Sequence, residues 1–298
     1  MIRCAALALL LACGRSQGVP DQDLGNLVLA PKHVEAPIDV DRAAKEPTEL
    51  GRALLRPYHA AIGAIGPHTL AVAMTTTVSE GNASTDLGEK YTLELGEADA
   101  FHGAYTNTDD YGRETIWTGK ELFLRPRYQR WHARAPEAPD ETQQLRDGFA
   151  SEIGAVWELF GYAAELTDQG PAGVNGRAGR KIIVKLSPSA RTAPAETLAQ
   201  RKWRASRVVE ALTGEVILDA EKGVPLAVKL AGQLSFARDG KRLAMKVSLE
   251  SGITSVGAVA IAPPAVGEVI ATPERLKEVD DRDTLLDGFA PPQKVQKK

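Results

Sequence analysis

Apolar and polar residues alternate with a period of two over two long parts of this chain. In residues 89–95, Tyr91, Leu93 and Leu95 fall on one side of an extended strand, and the polar residues between them fall on the other. Residues 241–250 alternate in the same way. The pattern predicts two runs of strands, in residues 68–134 and 180–254, with tight turns that favour antiparallel pairing of sequential strands. The predicted turns lie at 118–120, 221–223 and 239–240.

Two segments instead carry apolar residues at helical spacing. Residues 48–66 predict a helix that is kinked at Pro57 and stopped by Gly66. Residues 140–168 predict one long amphipathic helix, with its apolar stripe centred on Trp157 and Phe160. The glycine-rich stretch 170–179 is interpreted as a flexible connector between this helix and the second run of strands.

This order of elements predicts an α+β fold. Strands in two runs separated by a helix are typical of an antiparallel sheet rather than of alternating β-α units. One face of such a sheet needs an apolar cover, which the Trp157 helix can supply. We therefore expect a curved antiparallel sheet, an incomplete β-barrel, covered by helices over residues 48–270. Residues 271–298 are expected to form a short helix and a polar tail.

The N-terminus has the layout of an export signal. Arg3 precedes a nine-residue apolar run, which is too short to span a bilayer because a spanning helix needs roughly 20 apolar residues. Leu10-Leu11-Ala12-Cys13 then matches a bacterial lipobox, with Gly14 after the cysteine. We expect residues 1–12 to be a lipoprotein signal peptide, Cys13 to be the lipidated residue, and residues 13–47 to be a tether. A plain secretory signal with an incidental cysteine is the alternative.

Composition excludes several classes of function. The net charge is −3, so the chain has no basic excess for binding a nucleic-acid backbone. Both cysteines lie within the first 13 residues, so the rest of the chain has no disulfide and no thiolate metal site. The five histidines form no close pair of metal ligands, and we predict neither a metal nor a cofactor.

No catalytic motif fits its context. Residues 14–18 spell G-x-S-x-G, but a nucleophile elbow needs a strand before the serine and a helix after it. Ser16 instead lies between the export signal and the tether, so we predict that the protein is not an enzyme. Arginines and aromatic residues alternate in 125–134, which is typical of a solvated strand face or of a surface that meets anionic head groups or a glycan.

The ordered elements resemble a known group of proteins. Residues 119–133, GKELFLRPRYQRWHA, and 212–230, LTGEVILDAEKGVPLAVKL, are similar to segments of the outer-membrane lipoprotein carrier and receptor fold, which mycobacterial lipid-carrying lipoproteins share. The resemblance implies an apolar concave face, plugged by helices, that holds an acyl chain. Its candidate liners here are Leu93, Leu95, Leu122, Leu124, Trp157, Phe160, Ile182, Val184, Val216, Leu218, Val228, Leu230, Met245 and Val247. The alternative for each is a place in a dry core.

Two functions remain open from the sequence. The first is a lipid-anchored cell-envelope protein, expected on the outer membrane and facing the periplasm, that binds or transfers a lipid or acyl chain. The second is a structural or assembly lipoprotein that presents its sheet edge or arginine strand to a protein partner and has no ligand pocket. Neither function involves nucleic acid, and in both the protein contacts the membrane through Cys13.

Overall fold

A computed structural model describes residues 37–58, 65–189, 191–196, 198–257 and 259–271 of the chain. The predicted signal peptide, Cys13, Ser16, most of the tether and the C-terminal helix lie outside these residues.

In the part of the chain that the structure describes, twelve strands form one sheet whose edge strands do not pair with each other. Their order across the sheet is β12-β6-β5-β4-β3-β2-β1-β11-β10-β9-β8-β7. Every neighbouring pair is antiparallel except β12 with β6. The predicted α+β class and open antiparallel sheet are confirmed. The strands are β1 (His68–Glu80), β2 (Ala83–Leu95), β3 (Phe101–Asn107), β4 (Gly112–Trp117), β5 (Leu122–Pro126), β6 (Trp131–Arg134), β7 (Ala164–Val174), β8 (Arg177–Leu186), β9 (Val208–Asp219), β10 (Pro225–Arg238), β11 (Lys241–Val256) and β12 (Val269–Ala271).

Sequential hairpins build each half of the sheet, as the alternation and turn residues predict. The turn at Asp239-Gly240 has positive φ at both residues, and Gly119 also adopts positive φ between β4 and β5. The two halves join where β1 pairs with β11, for example Met74 with Leu249. This junction links strands far apart in sequence, and the sequence pattern did not predict it.

Within the described residues, four short α-helices accompany the sheet: α1 (Val40–Ala43), α2 (Pro47–Leu55), α3 (Glu141–Asp147) and α4 (Ser151–Phe160). The prediction of one helix over 140–168 is wrong in two places. The chain leaves the helix after Asp147 at Gly148, and after α4 it makes a single 3₁₀ turn, Gly161–Ala163, and enters β7. Pairing of β7 with β8 overrides the helical propensity of residues 164–168.

The glycine-rich stretch is also different from its prediction. Residues 170–179 are the facing ends of β7 and β8, with a turn at Asn175-Gly176. Both turn residues have positive φ, 48° and 80°, which is the type I′ signature of a two-residue hairpin. The flexible-connector interpretation was therefore wrong.

The folded unit begins before Thr48, where the sequence pattern placed its start. Ile38, Ala43 and Ala44 are buried in the core, and the compact unit starts at Ile38. Asp39 caps α1 by accepting a hydrogen bond from the Arg42 amide at 3.0 Å. Residues 38–47 of the expected tether thus contribute to the core.

The cover is much smaller than the sheet. Helices of nine and ten residues, such as α2 and α4, are about 14–15 Å long. Twelve strands spaced ~4.8 Å apart would span more than about 50 Å if the sheet were flat. Leu122 on β5 and Val184 on β8, which are eight strands apart in the sheet order, are nevertheless both fully buried, so we infer that the sheet curls around its helices.

Candidate functional site: the covered face of the sheet

One face of the sheet, which we call the covered face, carries the main apolar core. Alternate residues of β1 and its neighbours meet there in register: Leu70 lies opposite Leu93 on β2 and Ile253 on β11. The same row-by-row pairing continues to β9, where Val216 lies opposite Val228 of β10. The covered face is therefore continuous across both halves of the sheet.

Helices α2 and α4 lie over this face as a closely packed pair. A Cβ on Gly154 would lie 3.2 Å from the carbonyl oxygen of Leu54, so the two helix backbones approach closely. A Cβ on Gly51 of α2 would lie 2.8 Å from Nε1 of Trp157, so the indole ring fills the space beside that glycine. The absence of a side chain at these two positions lets the helices pack as one unit.

Aromatic rings connect this helical region to the sheet at positions where the sheet has no side chain. A Cβ on Gly232 of β10 would lie 2.5 Å from the Phe160 ring, and one on Gly103 of β3 would lie 2.3 Å from the Phe149 ring. Both rings are fully buried. The rings therefore occupy gaps that these glycines leave in the covered face.

The predicted liners come together on this face. Leu93, Leu95, Trp157, Phe160, Val216, Leu218, Val228 and Met245 all belong to the main core, as do Ile182, Val184, Leu230 and Val247. Leu122 is fully buried, whereas Leu124 is only half-buried. Their burial fits a packed core as well as a ligand site, and their role as liners stays a prediction.

A polar cluster interrupts the covered face near the turn between β3 and β4. Glu89 of β2 is 4% exposed, and its Oε1 accepts hydrogen bonds from the hydroxyls of Tyr91 at 3.0 Å and Tyr105 at 2.9 Å. Asn107 Nδ2 in turn donates to the Tyr105 hydroxyl oxygen at 3.3 Å. Glu89 Oε2 is buried and has no hydrogen-bond partner among the described residues. A buried carboxylate oxygen without a partner is costly, so this atom marks an incomplete polar site.

A second carboxyl reaches the same cluster from α4. Burial, followed by the charge of the nearby Glu89, raises the pKa of Glu152 to about 7, although hydrogen bonds with Ser151 and Tyr91 act in the opposite direction. Burial also raises the pKa of the Tyr105 hydroxyl to about 12. Glu152 is therefore about half protonated at neutral pH, and both tyrosines stay neutral hydrogen-bond donors.

Sequence reasoning missed this cluster, although one signal was present. Glu89 has the same strand parity as Tyr91, Leu93 and Leu95, so it is a charged residue at an inward position. Glu152 gave no comparable signal, because its neighbours on β2 are distant in sequence and only the docking of α4 brings them together.

His68 forms a second buried polar contact on the covered face. Its Nδ1 lies 2.7 Å from the Gly66 carbonyl oxygen, which can only accept, so Nδ1 carries the proton. Nε2 therefore accepts the Tyr58 hydroxyl proton at 2.6 Å. Burial lowers the pKa of His68, and the imidazole is neutral in this arrangement.

The opposite face of the sheet, the outer face, has charged side chains in pairs. His102 lies between Glu94 at 3.2 Å and Glu114 at 3.3 Å. Arg125 binds Glu114 at 2.6 Å and stacks over Trp131, 4.4 Å from its ring centroid. Among the described residues, no group of three or more acidic, histidine or cysteine side chains could hold a metal ion.

Exposed apolar side chains gather at one rim of the sheet, which we call the aromatic rim. Tyr128 is 76% exposed and Tyr111 is 57% exposed. They lie on neighbouring turns, which are joined where the Tyr128 hydroxyl donates to Asp110 at 2.9 Å. Val266, 91% exposed, precedes Gly267, whose carbonyl oxygen accepts a hydrogen bond from Arg130, two residues after Tyr128. Among the described residues, no helix is long and apolar enough to cross a lipid bilayer.

The sequence matches no protein-family model and no curated protein. The structure aligns with LprF from Mycobacterium bovis at 12% identity and TM-score 0.27, over 74% of this chain and 99% of that chain. It aligns with lipoprotein LppX from Mycobacterium tuberculosis at 16% identity and TM-score 0.25, over 70% of this chain and 98% of LppX. A third alignment is with an outer membrane lipoprotein-sorting protein domain from Vibrio parahaemolyticus, at 12% identity and TM-score 0.19. It covers 71% of this chain and 90% of that domain.

These three proteins belong to the two groups that the sequence resembles. Because the identities and TM-scores are low, no property of these proteins is carried over to this chain. The architecture is established instead by the strand order and the register of its own sheet.

Proposed function

We propose that this protein is a cell-envelope lipoprotein, anchored through an acylated Cys13, that holds an acyl chain of a lipid on the covered face of its sheet. The supporting observation is the open, twelve-stranded sheet with one continuous apolar face and a cover of two short, mutually packed helices. A cover packed as one unit can shift as one unit, and an acyl chain can then replace its contacts with the apolar face. The role is binding or transfer, and no catalysis is proposed.

Native mass spectrometry tests the ligand directly. The soluble chain from Gly14 onward retains the whole compact unit that begins at Ile38. We expect it to be purified with bound lipid, or to take up a fluorescent fatty-acyl probe after delipidation. A chain that carries no lipid and takes up no probe would contradict the proposal.

Two matched substitutions on β9 locate the site. Val216 is fully buried on the covered face, whereas Val208, on the same strand, is 57% exposed. Val216→Phe should reduce probe uptake because it fills the space beneath the cover, and Val208→Phe should not. Val216→Ala enlarges that space and should retain probe uptake. This variant is the control that separates filling of the space from a general effect of changing a buried residue at this position. Equal loss in Val216→Phe and Val208→Phe would place binding elsewhere.

The anchor has a separate test. Replacing Cys13 by serine should release the protein from membranes and remove the mass of the acyl chains. Continued membrane retention with unchanged mass would contradict anchoring while leaving the acyl-chain proposal intact.

The second candidate function is an assembly protein that binds a protein partner through its aromatic rim. The observation that favours it is the grouping of Tyr111, Tyr128 and Val266, because tyrosines on an exposed rim are typical of interfaces. A lipid-free protein would favour this candidate. In that case Tyr128→Ser should weaken the partner complex and leave the melting temperature unchanged.

A further inference from the structure

Glu89 is a buried carboxylate with one oxygen that lacks a hydrogen-bond donor. Its Oε1 accepts the hydroxyls of Tyr91 at 3.0 Å and Tyr105 at 2.9 Å, whereas its Oε2 has no partner among the described residues. Residues 83–86, at the start of β2, are exposed, and Glu89 is the first buried residue of that strand. The unfilled acceptor therefore lies where the covered face of β2 meets its exposed end. A ligand that brings an N–H donor to Oε2 would complete the site.

Three tyrosine rings connect Glu89 with the surface. We call Tyr91, Tyr105 and Tyr111 the tyrosine ladder. The first two ring centroids are 4.7 Å apart, and the Tyr111 ring meets the Tyr105 ring edge-on, with centroids 5.9 Å apart. Exposure increases along the ladder, because Tyr91 is buried, Tyr105 is half-buried and Tyr111 is 57% exposed. The carboxylate is thus linked to solvent by aromatic rings, whose faces attract cations.

The charges that act on this cluster are negative. Burial raises the pKa of the Tyr105 hydroxyl to about 12, and the charges of Glu89 and Glu152 act in the same direction. Arg113 of β4 lies opposite Tyr105 in the register, but its guanidinium stacks over the Phe149 ring, 5.5 Å from the centroid. The cluster therefore favours a ligand group with a positive charge.

We propose that Glu89 and the tyrosine ladder bind the primary ammonium head group of an amphiphile whose apolar chain lies on the covered face. This assignment rests on the proposed lipid function and narrows the class of its ligand. Glu89 has the same strand parity as Leu93 and Leu95, so the head-group site and the apolar residues share one face. A primary ammonium has three N–H donors for Oε2, whereas a quaternary ammonium has none.

The burial of Glu89 makes the contact selective for charge. Because Oε2 is shielded from solvent, an ammonium that binds it displaces a neighbouring side chain and is itself withdrawn from water. A hydrogen bond between two charged groups is stronger in such a site than one from a neutral hydroxyl. The difference corresponds to about a tenfold gain in affinity for the ammonium.

Displacement of a fluorescent fatty-acyl probe from the delipidated soluble chain tests the head group with three ligands of equal chain length. Dodecylamine is charged at pH 7, as a lysine side chain is. 1-Dodecanol has a neutral hydroxyl, and dodecyltrimethylammonium has the charge without an N–H donor. Below the concentrations at which these ligands form micelles, dodecylamine should displace half of the probe at a concentration about tenfold lower than either of the others.

Glu89→Gln should remove this preference. The amide oxygen can still accept the tyrosine hydroxyls, so the variant should fold, and an unchanged response to 1-dodecanol would show that the apolar face is intact. Glu94→Gln is the matched control, because Glu94 lies on the same strand but on the outer face, beside His102. The control should keep the full preference for dodecylamine.

The possible results separate the head-group site from the lipid function. Equal displacement by dodecylamine and either other ligand, in a chain that binds the probe, would overturn the ammonium site and leave the lipid function intact. A preference that persists in Glu89→Gln would do the same. A chain that takes up no probe would contradict the lipid function, and the ammonium assignment with it. The comparison of ligands on the unsubstituted chain does not depend on the folding of any variant.

Discussion

The two faces of the sheet use the same strands but handle charge in opposite ways. On the outer face, Lys181 of β8 pairs with Glu215 of β9 at 2.6 Å, and Arg125 pairs with Glu114. On the covered face, Glu89 Oε2 is buried without a hydrogen-bond partner among the described residues, and the charge of Glu89 raises the pKa of the nearby Glu152. Outer-face ions keep water and a partner, whereas on the covered face Glu89 is almost fully buried and Glu152 is half-buried.

This difference separates structural charges from a charge that can be switched. A solvent-exposed pair of a lysine or arginine with a carboxylate keeps its charges at physiological pH, and breaking it changes little. A carboxyl with a pKa near 7 changes charge within the physiological pH range, and this change alters the electrostatic interactions with its neighbours. The covered face therefore contains a carboxyl whose raised pKa lies near neutral pH, and the lysine–glutamate and arginine–glutamate pairs of the outer face provide a reference for testing it.

Removing the Phe160 ring should have the largest effect. Phe160→Ala deletes a fully buried ring and leaves a cavity, so we expect the free energy of unfolding to fall by about 3–5 kcal/mol. Gly232→Ala should cost about 1–3 kcal/mol, because its Cβ would lie 2.5 Å from that ring. Urea denaturation measures both values.

The double variant then tests whether the ring and the glycine are one contact. In Phe160→Ala the space beside Gly232 is empty, so adding Gly232→Ala should cost clearly less than it does alone. Additive losses would contradict the packing described here, as would a Gly232→Ala variant of unchanged stability.

The next effect concerns pH. Folded Glu152 holds its proton up to about pH 7, whereas the unfolded chain loses it near 4.5, so unfolding releases a proton between these values. The stability of the unsubstituted chain, taken relative to Glu152→Gln, should therefore fall by about 3 kcal/mol from pH 4.5 to 7 and stay level above 7. Urea midpoints across that range provide the measurement, and a difference that rises with pH would contradict the assignment.

His68 should respond in the opposite direction and more weakly. Burial lowers its pKa, so the unfolded chain binds a proton that the folded chain resists, and stability falls as the pH drops below 6.5. His68→Phe should remove this acid dependence. At neutral pH the variant should cost about 1–3 kcal/mol, because the buried Tyr58 hydroxyl loses its acceptor. Thermal melts at pH 5 and pH 8 measure both effects.

Much of the sheet could be predicted from the sequence because its determinants are local. Alternation sets which residues of β2 and β11 face inward, and turn residues such as Asp239 and Gly240 set which strands pair. The pairing of β1 with β11 and the break of the long helix at Gly148 depend on contacts between distant segments. Periodicity contains no information about such contacts.

The candidate site also has a part that the local sequence predicts and a part that depends on contacts between distant segments. The inward positions of Leu93 and Val216 follow from strand parity, and both are buried as that parity requires. Whether they contact a ligand depends on how tightly the cover packs against them, which no local pattern encodes. The carboxyl pair was missed because Glu89 and Glu152 are 63 residues apart and meet only when α4 docks.

The smallest effect is expected on the outer face, where Lys181 and Glu215 are each about one-third exposed. Lys181→Gln removes the ion pair but leaves both positions in water, so the free energy of unfolding should change by less than about 1 kcal/mol. Because neither group acts on the pKa of Glu152, the variant should also keep the full pH dependence assigned to Glu152. A larger loss, measured by urea denaturation, would mean that outer-face pairs also hold the sheet together, and the contrast between the two faces would then be one of degree. A small loss combined with an altered pH dependence would instead show that charge on the outer face reaches the carboxyl pair through the sheet.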